Sequence, residues 1–248
     1  MAVGATPSPL VLLRAVLFSL IPVVAAGVSG VIAAFHPPGR RLTSGIQHFA
    51  AGVVFAAAAI ELLPGVLHQR PGVAVAGFAA GIIVMFAFRA MSAALERRRS
   101  DDGPALPIGL AVATGVDFAV DGLVLGAGFA ASPTTGLLLS IALAVEYLFV
   151  GLSLSAAMSG AASRRLTAAA PTALSLLTVA GTAVGAVLLA DASPPLLAGV
   201  LAFGAVAFMY LATEELLVEA HEQGETALGS VGFFVGFLIY LLLHELIG

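Results

Sequence analysis

The sequence lacks cysteine and lysine, and it is poor in charge of either sign. Without cysteine the chain can form no disulfide, no thiolate metal site and no cysteine nucleophile. Its ten basic residues are all arginines, and they form no basic face that could bind the phosphates of a nucleic acid. Charged residues make up 10% of the chain, against about 25% in soluble domains. Nucleic-acid binding and soluble phosphate-loop functions are therefore poor explanations of this sequence.

Apolar residues are what the sequence has in excess. They make up 60% of the 248 residues, and the mean hydropathy is +1.10. A soluble fold of this length could not hide so much apolar surface, so lipid must be the solvent. We predict an all-α membrane protein, a single transmembrane domain over residues 1–248, because the period-2 alternation of a membrane barrel is missing. Eight apolar stretches are long enough to span a bilayer: 11–34, 45–68, 72–95, 105–130, 134–160, 168–190, 195–221 and 226–247.

The arginines give the predicted orientation. They are concentrated in the loops after predicted helices one, three and five: Arg40, Arg41, Arg97, Arg98, Arg99, Arg164 and Arg165. Loops rich in arginine face the cytoplasm under the positive-inside rule. We therefore expect a multi-pass protein of the cell membrane with both termini outside the cytoplasm.

Two pairs of predicted helices carry the same pattern. A Glu-Leu-Leu triplet at residues 61–63 is followed by Gly-Phe-x-x-Gly at residues 77–81, and the same order recurs at 215–217 and 232–236. Predicted helices two and seven run in opposite directions, so the pattern indicates a 3+2+3 inverted repeat. In secondary transporters with inverted repeats, the substrate site lies near the midplane at the repeat interface. This arrangement directs attention to helices four and five.

Acidic residues lie near the centres of these two helices. Asp117 and Asp121 are four residues apart on helix four and share one face, and Glu146 lies at the middle of helix five. A charged aspartate at mid-helix costs about 2.5–3.5 kcal/mol. Either protonation or a bound cation could remove that cost, and a single buried acid could also bond to a neighbouring helix. Tyr147 could pack beside these acids or donate its hydroxyl to one of them.

Further acids and histidines are candidates of lower rank for metal binding or for a pathway. Glu61 lies nearer a helix end, where a solvated glutamate costs little. Glu214 and Glu215 are adjacent, so we expect at most one of them to face the site. Glu219 and His221 could pass a metal to the interior, or they could form a solvated helix end. The other histidines lie near predicted helix ends and are interpreted as interfacial polar groups: His36, His48, His68 and His244.

The order of these segments resembles the ZIP (Zrt/Irt-like) family of divalent metal transporters. The resemblance rests on residues 49–64, on the central acidic helices, and on residues 210–221, which read Tyr-Leu-Ala-Thr-Glu-Glu-Leu-Leu-Val-Glu-Ala-His. The last stretch is most similar to the bacterial branch. The resemblance implies eight helices, both termini outside, a 3+2+3 repeat, a homodimer, a divalent cation as cargo and no permanent cofactor.

The central motif departs from that family. Its helix four usually reads His-Asn-x-Pro-Glu-Gly, and this chain has Asp-Phe-Ala-Val-Asp-Gly at 117–122. Helix five has Glu-Tyr-Leu-Phe-Val-Gly at 146–151, again without the family's proline. Because Phe118, Tyr147 and Val150 cannot supply the ligands of a second metal, we expect one site instead of two. We also expect straighter helices here, because proline is missing from both.

The remaining candidate metal site has Asp117, Asp121 and Glu146 as its three carboxylate ligands. Zinc sites usually include nitrogen or sulfur, whereas an all-oxygen set suits Mn²⁺ or Mg²⁺. Which of Mn²⁺, Mg²⁺, Zn²⁺, Fe²⁺ and Cd²⁺ is carried stays open.

Four classes of function follow from this reading. The leading prediction is a divalent cation transporter without enzymatic activity, in which protons compete for the carboxylates. The alternatives are a non-transporting ZIP-like protein with a sensing or scaffold role, a proton-linked carrier of another substrate, and an intramembrane aspartyl protease. The protease is the weakest, because its two acids would have to come from different helices and the helix-four pair does not provide that.

Overall fold

The computed structural model describes residues 9–67, 69, 71–97, 107–222 and 227–247, and this part of the chain is almost entirely helical. Seven of its helices are long and apolar enough to cross a membrane, and a shorter apolar segment occupies Val231–Ile247. The prediction of an all-α, multi-pass membrane protein is confirmed at this level. We number the helices α1 (Pro9–Phe35), α2 (Arg40–Ala57, continued by Leu63–Leu67), α3 (Pro71–Arg97), α4 (Ile108–Ala131), α5 (Pro133–Met158), α6 (Arg164–Leu189), α7 (Pro194–Tyr210, continued by Leu217–Glu222) and α8 (Ala227–Ile247).

The helix boundaries differ from the predicted ones mainly at polar ends. Helix α2 begins at Arg40 and α6 at Arg164, several residues before the predicted starts at 45 and 168. A hydropathy window finds the start of an apolar run, whereas a helix starts at its cap. For α6 that cap is Ser163, whose hydroxyl accepts from the backbone N–H of Leu166 at 3.3 Å. Predicted helix positions 68, 105, 106 and 226, and the loop residues Arg98 and Arg99, lie outside the described residues.

Two of the long helices contain a turn of π-helix. In α2 this turn covers Ala58–Leu62, and in α7 it covers Leu211–Leu216. Such turns are frequent at functional sites because the extra residue changes where side chains point. The turn in α2 contains Glu61, and the turn in α7 contains Glu214 and Glu215. Helices α4 and α5 run as uninterrupted α-helix.

Glycines allow the outer helices to pack closely in pairs. A side chain at Gly236 of α8 would collide with the carbonyl oxygen of Phe49 in α2. On the other side of the bundle, a side chain at Gly77 of α3 would collide with the carbonyl of Gly199 in α7. Small residues at helix interfaces are typical of membrane bundles, because they let backbones approach.

The acid-bearing helices α4 and α5 pack against α6 and α1 by the same means. A Cβ added at Gly126 of α4 would lie 2.6 Å from the carbonyl oxygen of Thr182 in α6. In α5, a side chain at Gly151 would collide with the hydroxyl of Ser29 in α1. This close packing places α4 and α5 at the centre of the bundle, where their inward side chains are shielded from lipid. Large apolar side chains instead cover the outward faces, for example Ile83, Phe86, Phe234 and Leu246.

Candidate metal site

Three acidic side chains from α4 and α5 converge at the centre of the bundle. Asp117, Asp121 and Glu146 each offer one carboxylate oxygen, and these oxygens all lie within 4.8 Å of one another. Asp121 and Glu146 are buried, with exposed fractions of 2% and 0%, and Asp117 is partly buried. The four-residue spacing on α4 puts both aspartates on one face, and α5 brings Glu146 to that face from the other side.

One of the three acids is held by a hydroxyl group. Tyr147 is fully buried, and its phenol donates a hydrogen bond to Oδ2 of Asp121 at 3.1 Å. The same hydroxyl lies 2.5 Å from Oγ1 of Thr178 in α6. The ring of Phe118 packs against the Tyr147 ring with centroids 4.0 Å apart. Tyr147 therefore both packs against Phe118 and donates a hydrogen bond to the carboxylate of Asp121.

Glu146 has no such partner. Both of its carboxylate oxygens are buried, and no hydroxyl, amide or cationic group bonds to either of them among the described residues; the carboxyl of Asp121 lies beside it. The described ion pairs lie elsewhere, between Arg89 and Glu214 and between His244 and Glu61. A buried carboxylate without a donor is costly unless it takes up a proton or contacts a cation. Glu146 is therefore suited to exchanging a bound proton for a metal cation.

A cavity runs from Asp117, one of the three central acids, toward the Glu219 end of the bundle. It has a volume of about 400 Å³, and its lining includes Asp117, Glu214, Glu215, Glu219 and Arg89. A second cavity of about 110 Å³ is also lined by Asp117, Glu215 and Glu219. Acidic oxygens thus line the route from the centre to the Glu219 end of the bundle.

The two adjacent glutamates of α7 both line the larger cavity. That at most one of them faces the three central acids stays a prediction. Their roles still differ. Glu214 forms an ion pair with Arg89 at 3.3 Å, and both side chains are about half exposed, at 47% and 60%. Glu215 shares both cavities with Asp117. Both glutamates belong to the π turn Leu211–Leu216.

Glu219 and His221 end α7 in different surroundings. Glu219 accepts a hydrogen bond from Ser153 of α5 at 2.9 Å and lines the cavities. His221 is exposed, and its Nδ1 bonds to the backbone carbonyl of Leu217. The ring of His221 also packs edge-on against His48, with centroids 5.2 Å apart. The structure therefore places Glu219 on the route and His221 beside it.

Glu61 lies apart from the central acids and is not a solvated helix-end residue. Its side chain is 3% exposed, and Oε1 lies 2.7 Å from Nδ1 of His244 in α8. Of the two interpretations left open for Glu61, a solvated helix end and a functional group, the solvated one does not hold, because α8 packs over the side chain. His244, interpreted from sequence as an interfacial polar group, is its partner.

Residue positions along α5 show how far apart Glu61, Glu146 and Glu219 lie in depth. Thr135 lies beside Glu61, Glu146 follows eleven residues later, and Ser153 follows after seven more. At 1.5 Å per residue, Glu61 is about 16 Å from the centre and Glu219 about 10 Å from it on the opposite side. Carboxylates thus occupy three levels across about 27 Å, close to the thickness of a bilayer's hydrocarbon core, about 30 Å.

Sequence reasoning did not find Thr178 or the pairing of His244. Thr178 lies in an apolar helix where threonine is unremarkable, and its contact with Tyr147 depends on how α6 packs. The spacing of His244 from the end of α8 carries no sign of its partner on α2.

Comparison with models of known protein families and with curated proteins gives no match for this sequence.

Proposed function

We propose that this protein is a transporter that moves a divalent metal cation across the membrane through one oxygen-rich site. Its ligands are Asp117, Asp121 and Glu146. The observation that carries the proposal is the meeting of three carboxylates at the centre of the bundle, with Glu146 buried and bonded by no hydroxyl, amide or cationic group among the described residues. A divalent cation would compensate these charges, and oxygen ligands suit Mn²⁺ or Mg²⁺ better than Zn²⁺.

The surroundings of the site support an ion pathway. Cavities lined by Glu215 and Glu219 lead from Asp117 to the Glu219 end. Toward Glu61, the residues of α5 that separate Thr135 from Glu146 include four that are fully buried and apolar: Leu138, Leu139, Ala142 and Leu143. Access from one side and apolar packing on the other is the arrangement that alternating access requires. From the arginine distribution we propose that the open side faces the cytoplasm.

An inverted repeat, which would support the same mechanism, is consistent with features that α2 and α7 share. The π turns of α2 and α7 lie at corresponding places, and each contains a glutamate. The Gly-Phe-x-x-Gly motifs also make corresponding contacts. A Cβ at Gly81 would lie 3.2 Å from the carbonyl of Phe203 in α7, and one at Gly236 would meet the carbonyl of Phe49 in α2. We therefore propose eight spanning helices in a 3+2+3 arrangement and a ZIP-like origin, in which the two halves exchange conformations.

Metal flux tests the proposal directly. Purified protein in proteoliposomes should accumulate Mn²⁺ down a concentration gradient, and flux of Mg²⁺, Zn²⁺, Fe²⁺ and Cd²⁺ should be measured beside it. Asp117→Asn and Glu146→Gln should abolish uptake. Asp191→Asn is a matched control, because this exposed acid lies in the turn after α6, away from the cavities. Uptake that persists in both site variants would sink the proposal.

One observation favours the alternative of a non-transporting sensor or scaffold. Helices α4 and α5 are uninterrupted, and the rings of Phe118 and Tyr147, tilted by 32° with centroids 4.0 Å apart, fill space between them. A site held this firmly could bind an ion without releasing it across the membrane. Saturable metal binding together with no flux of any of the five ions would decide for this alternative.

A further inference from the structure

A second buried polar cluster lies at the opposite end of the bundle from Glu219. Its centre is Glu61, and Nδ1 of His244 approaches Oε1 at 2.7 Å. Glu61 is almost fully buried, whereas the side chain of His244 is 33% exposed. The histidine therefore lies between the surface of the bundle and a carboxylate that water does not reach directly.

Two hydroxyl groups complete this cluster. Tyr240, one helical turn before His244 on α8, has an exposed fraction of 1%. Its hydroxyl is buried beside Glu61 and makes no hydrogen bond of normal geometry within the described part of the chain. The Thr135 side chain, at the start of α5, also lies beside Glu61. A buried phenol that lies beside a carboxylate without bonding it normally leaves room for another partner.

The backbone at Glu61 is also unusual. Glu61 belongs to the π turn Ala58–Leu62, so its helix leaves regular α geometry where the carboxylate turns toward α8. π turns of this kind are often kept at ligand sites. The cluster thus collects one carboxylate, one imidazole and two hydroxyls from three helices, which is a donor set of mixed nitrogen and oxygen.

We propose that Glu61 and His244, assisted by the hydroxyls of Tyr240 and Thr135, form a second divalent cation site. It differs from the central site because it contains an imidazole nitrogen, and mixed nitrogen and oxygen ligands suit borderline ions such as Zn²⁺. The ion would bind between Oε1 and Nδ1, and a proton that either group carries there would leave to solvent. Ligand atoms at about 2.0–2.2 Å from a zinc ion need only a small separation beyond the present contact.

Binding at this cluster does not depend on transport. A further role, in which ions enter or leave the transport pathway through this site, rests on the proposed function. If the protein transports no metal, the role in transport is lost but the proposal of a binding site at Glu61 and His244 is unaffected. If Zn²⁺ does not bind at Glu61 and His244, this second site is refuted and the central site is unaffected.

Zn²⁺ titration of the full-length protein tests the site. An Asp117→Asn, Glu146→Gln background removes the central ligands, and calorimetry should still detect one Zn²⁺ per protomer. Glu61→Gln and His244→Gln, each added to that background, should weaken this binding by about 10–100-fold or more, the loss typical even of groups that merely support a ligand. His36→Gln is the matched control, because His36 is an exposed histidine at the end of α1.

His244→Gln changes a partly exposed side chain and so keeps the test usable if the Glu61 variant is too unstable to purify. Melting temperatures of all variants, measured without metal, check that each is folded. Absence of Zn²⁺ binding in the background, or binding unchanged by the Glu61 and His244 substitutions, would overturn the proposal and identify a structural ion pair only.

Discussion

Glu146 and Glu61 are both buried glutamates on membrane-spanning helices, and the groups around them differ. Within the described part of the chain, Glu146 meets two other carboxylates and no hydroxyl, amide or cationic partner, whereas Glu61 meets an imidazole at 2.7 Å. The first arrangement is incomplete without a proton or a cation, and the second is already compensated within the protein. Depth in the membrane therefore does not decide what an acidic residue does, and its partners do.

The largest expected effect comes from the same substitution made at both glutamates. Glu146→Gln should lower Mn²⁺ affinity by more than about 100-fold, since it removes a direct ligand and not just a supporting group. Without metal it should raise stability by about 1–3 kcal/mol, because the amide can donate to the neighbouring carboxylates. Glu61→Gln should instead lower stability, by about 1 kcal/mol or less, because His244 is partly exposed. Thermal unfolding with and without Mn²⁺ measures both.

If the two substitutions changed metal-free stability in the same direction, the contrast between an uncompensated and a compensated acid would be wrong.

Packing at the central site gives the next largest effect. A side chain at Gly122 would collide with the carbonyl of Thr178 and lie 2.9 Å from Cα of Gly181. Gly122→Ala should therefore push α6 away from α4, cost about 1–3 kcal/mol and weaken metal binding through the lost contact of Thr178 with Tyr147. Gly45→Ala is the control, because a Cβ there has open space. Equal stability of the two variants would contradict the close packing of α4 and α6.

Substitutions of the two fully buried tyrosines distinguish the central site from the Glu61 cluster. Tyr147→Phe removes the donor to Asp121 and should cost about 1.5–3 kcal/mol of interaction with the charged carboxylate, about tenfold or more in Mn²⁺ affinity. Tyr240→Phe leaves that bond intact and should not change Mn²⁺ affinity at the central site. Mn²⁺ titration of both variants tests the pair. Equal losses would show that the Asp121 hydrogen bond has no special role.

The smallest effect is expected at the exposed ion pair by the cavity. Arg89 and Glu214 are both about half exposed, so Arg89→Gln should change stability by less than about 1 kcal/mol. Its effect should appear as a weaker dependence of metal flux on salt concentration, because an exposed charge acts mainly on ion access. A loss of stability comparable to that of Gly122→Ala would mean that this pair supports the fold.

The sequence was sufficient to locate the central acids. Asp117 and Asp121 had to share a face, because four residues make about one helical turn, and the hydropathy pattern placed Glu146 at a similar depth. The all-helical membrane fold followed from composition, from the missing period-2 alternation and from the length of the apolar stretches. Nothing in the spacing could show that the three carboxylates meet, since that depends on which glycines bring α4, α5 and α6 together.

The surroundings of the acids were harder to predict. For Glu61 the sequence left a solvated helix end and a functional role equally open, because hydropathy measures distance along one helix and not coverage by another. Helix α8 covers it and supplies His244. The two π turns left no sign in the sequence, and neither did the cavity that Glu214 and Glu215 both line. The sequence allowed Tyr147 either to pack beside the acids or to donate a hydrogen bond to one, and only the packing of the helices shows that it does both.

Equilibrium Mn²⁺ binding to the purified protein tests the central claim most directly, because it asks whether the three acids hold an ion at all. Wild-type protein and the Asp191→Asn control should bind Mn²⁺ saturably at a site where protons compete with the metal ion. Asp117→Asn, Asp121→Asn and Glu146→Gln should each lose that site while remaining folded. Mn²⁺ binding that survives all three substitutions, or a wild type that binds none of the five divalent ions, would contradict the account.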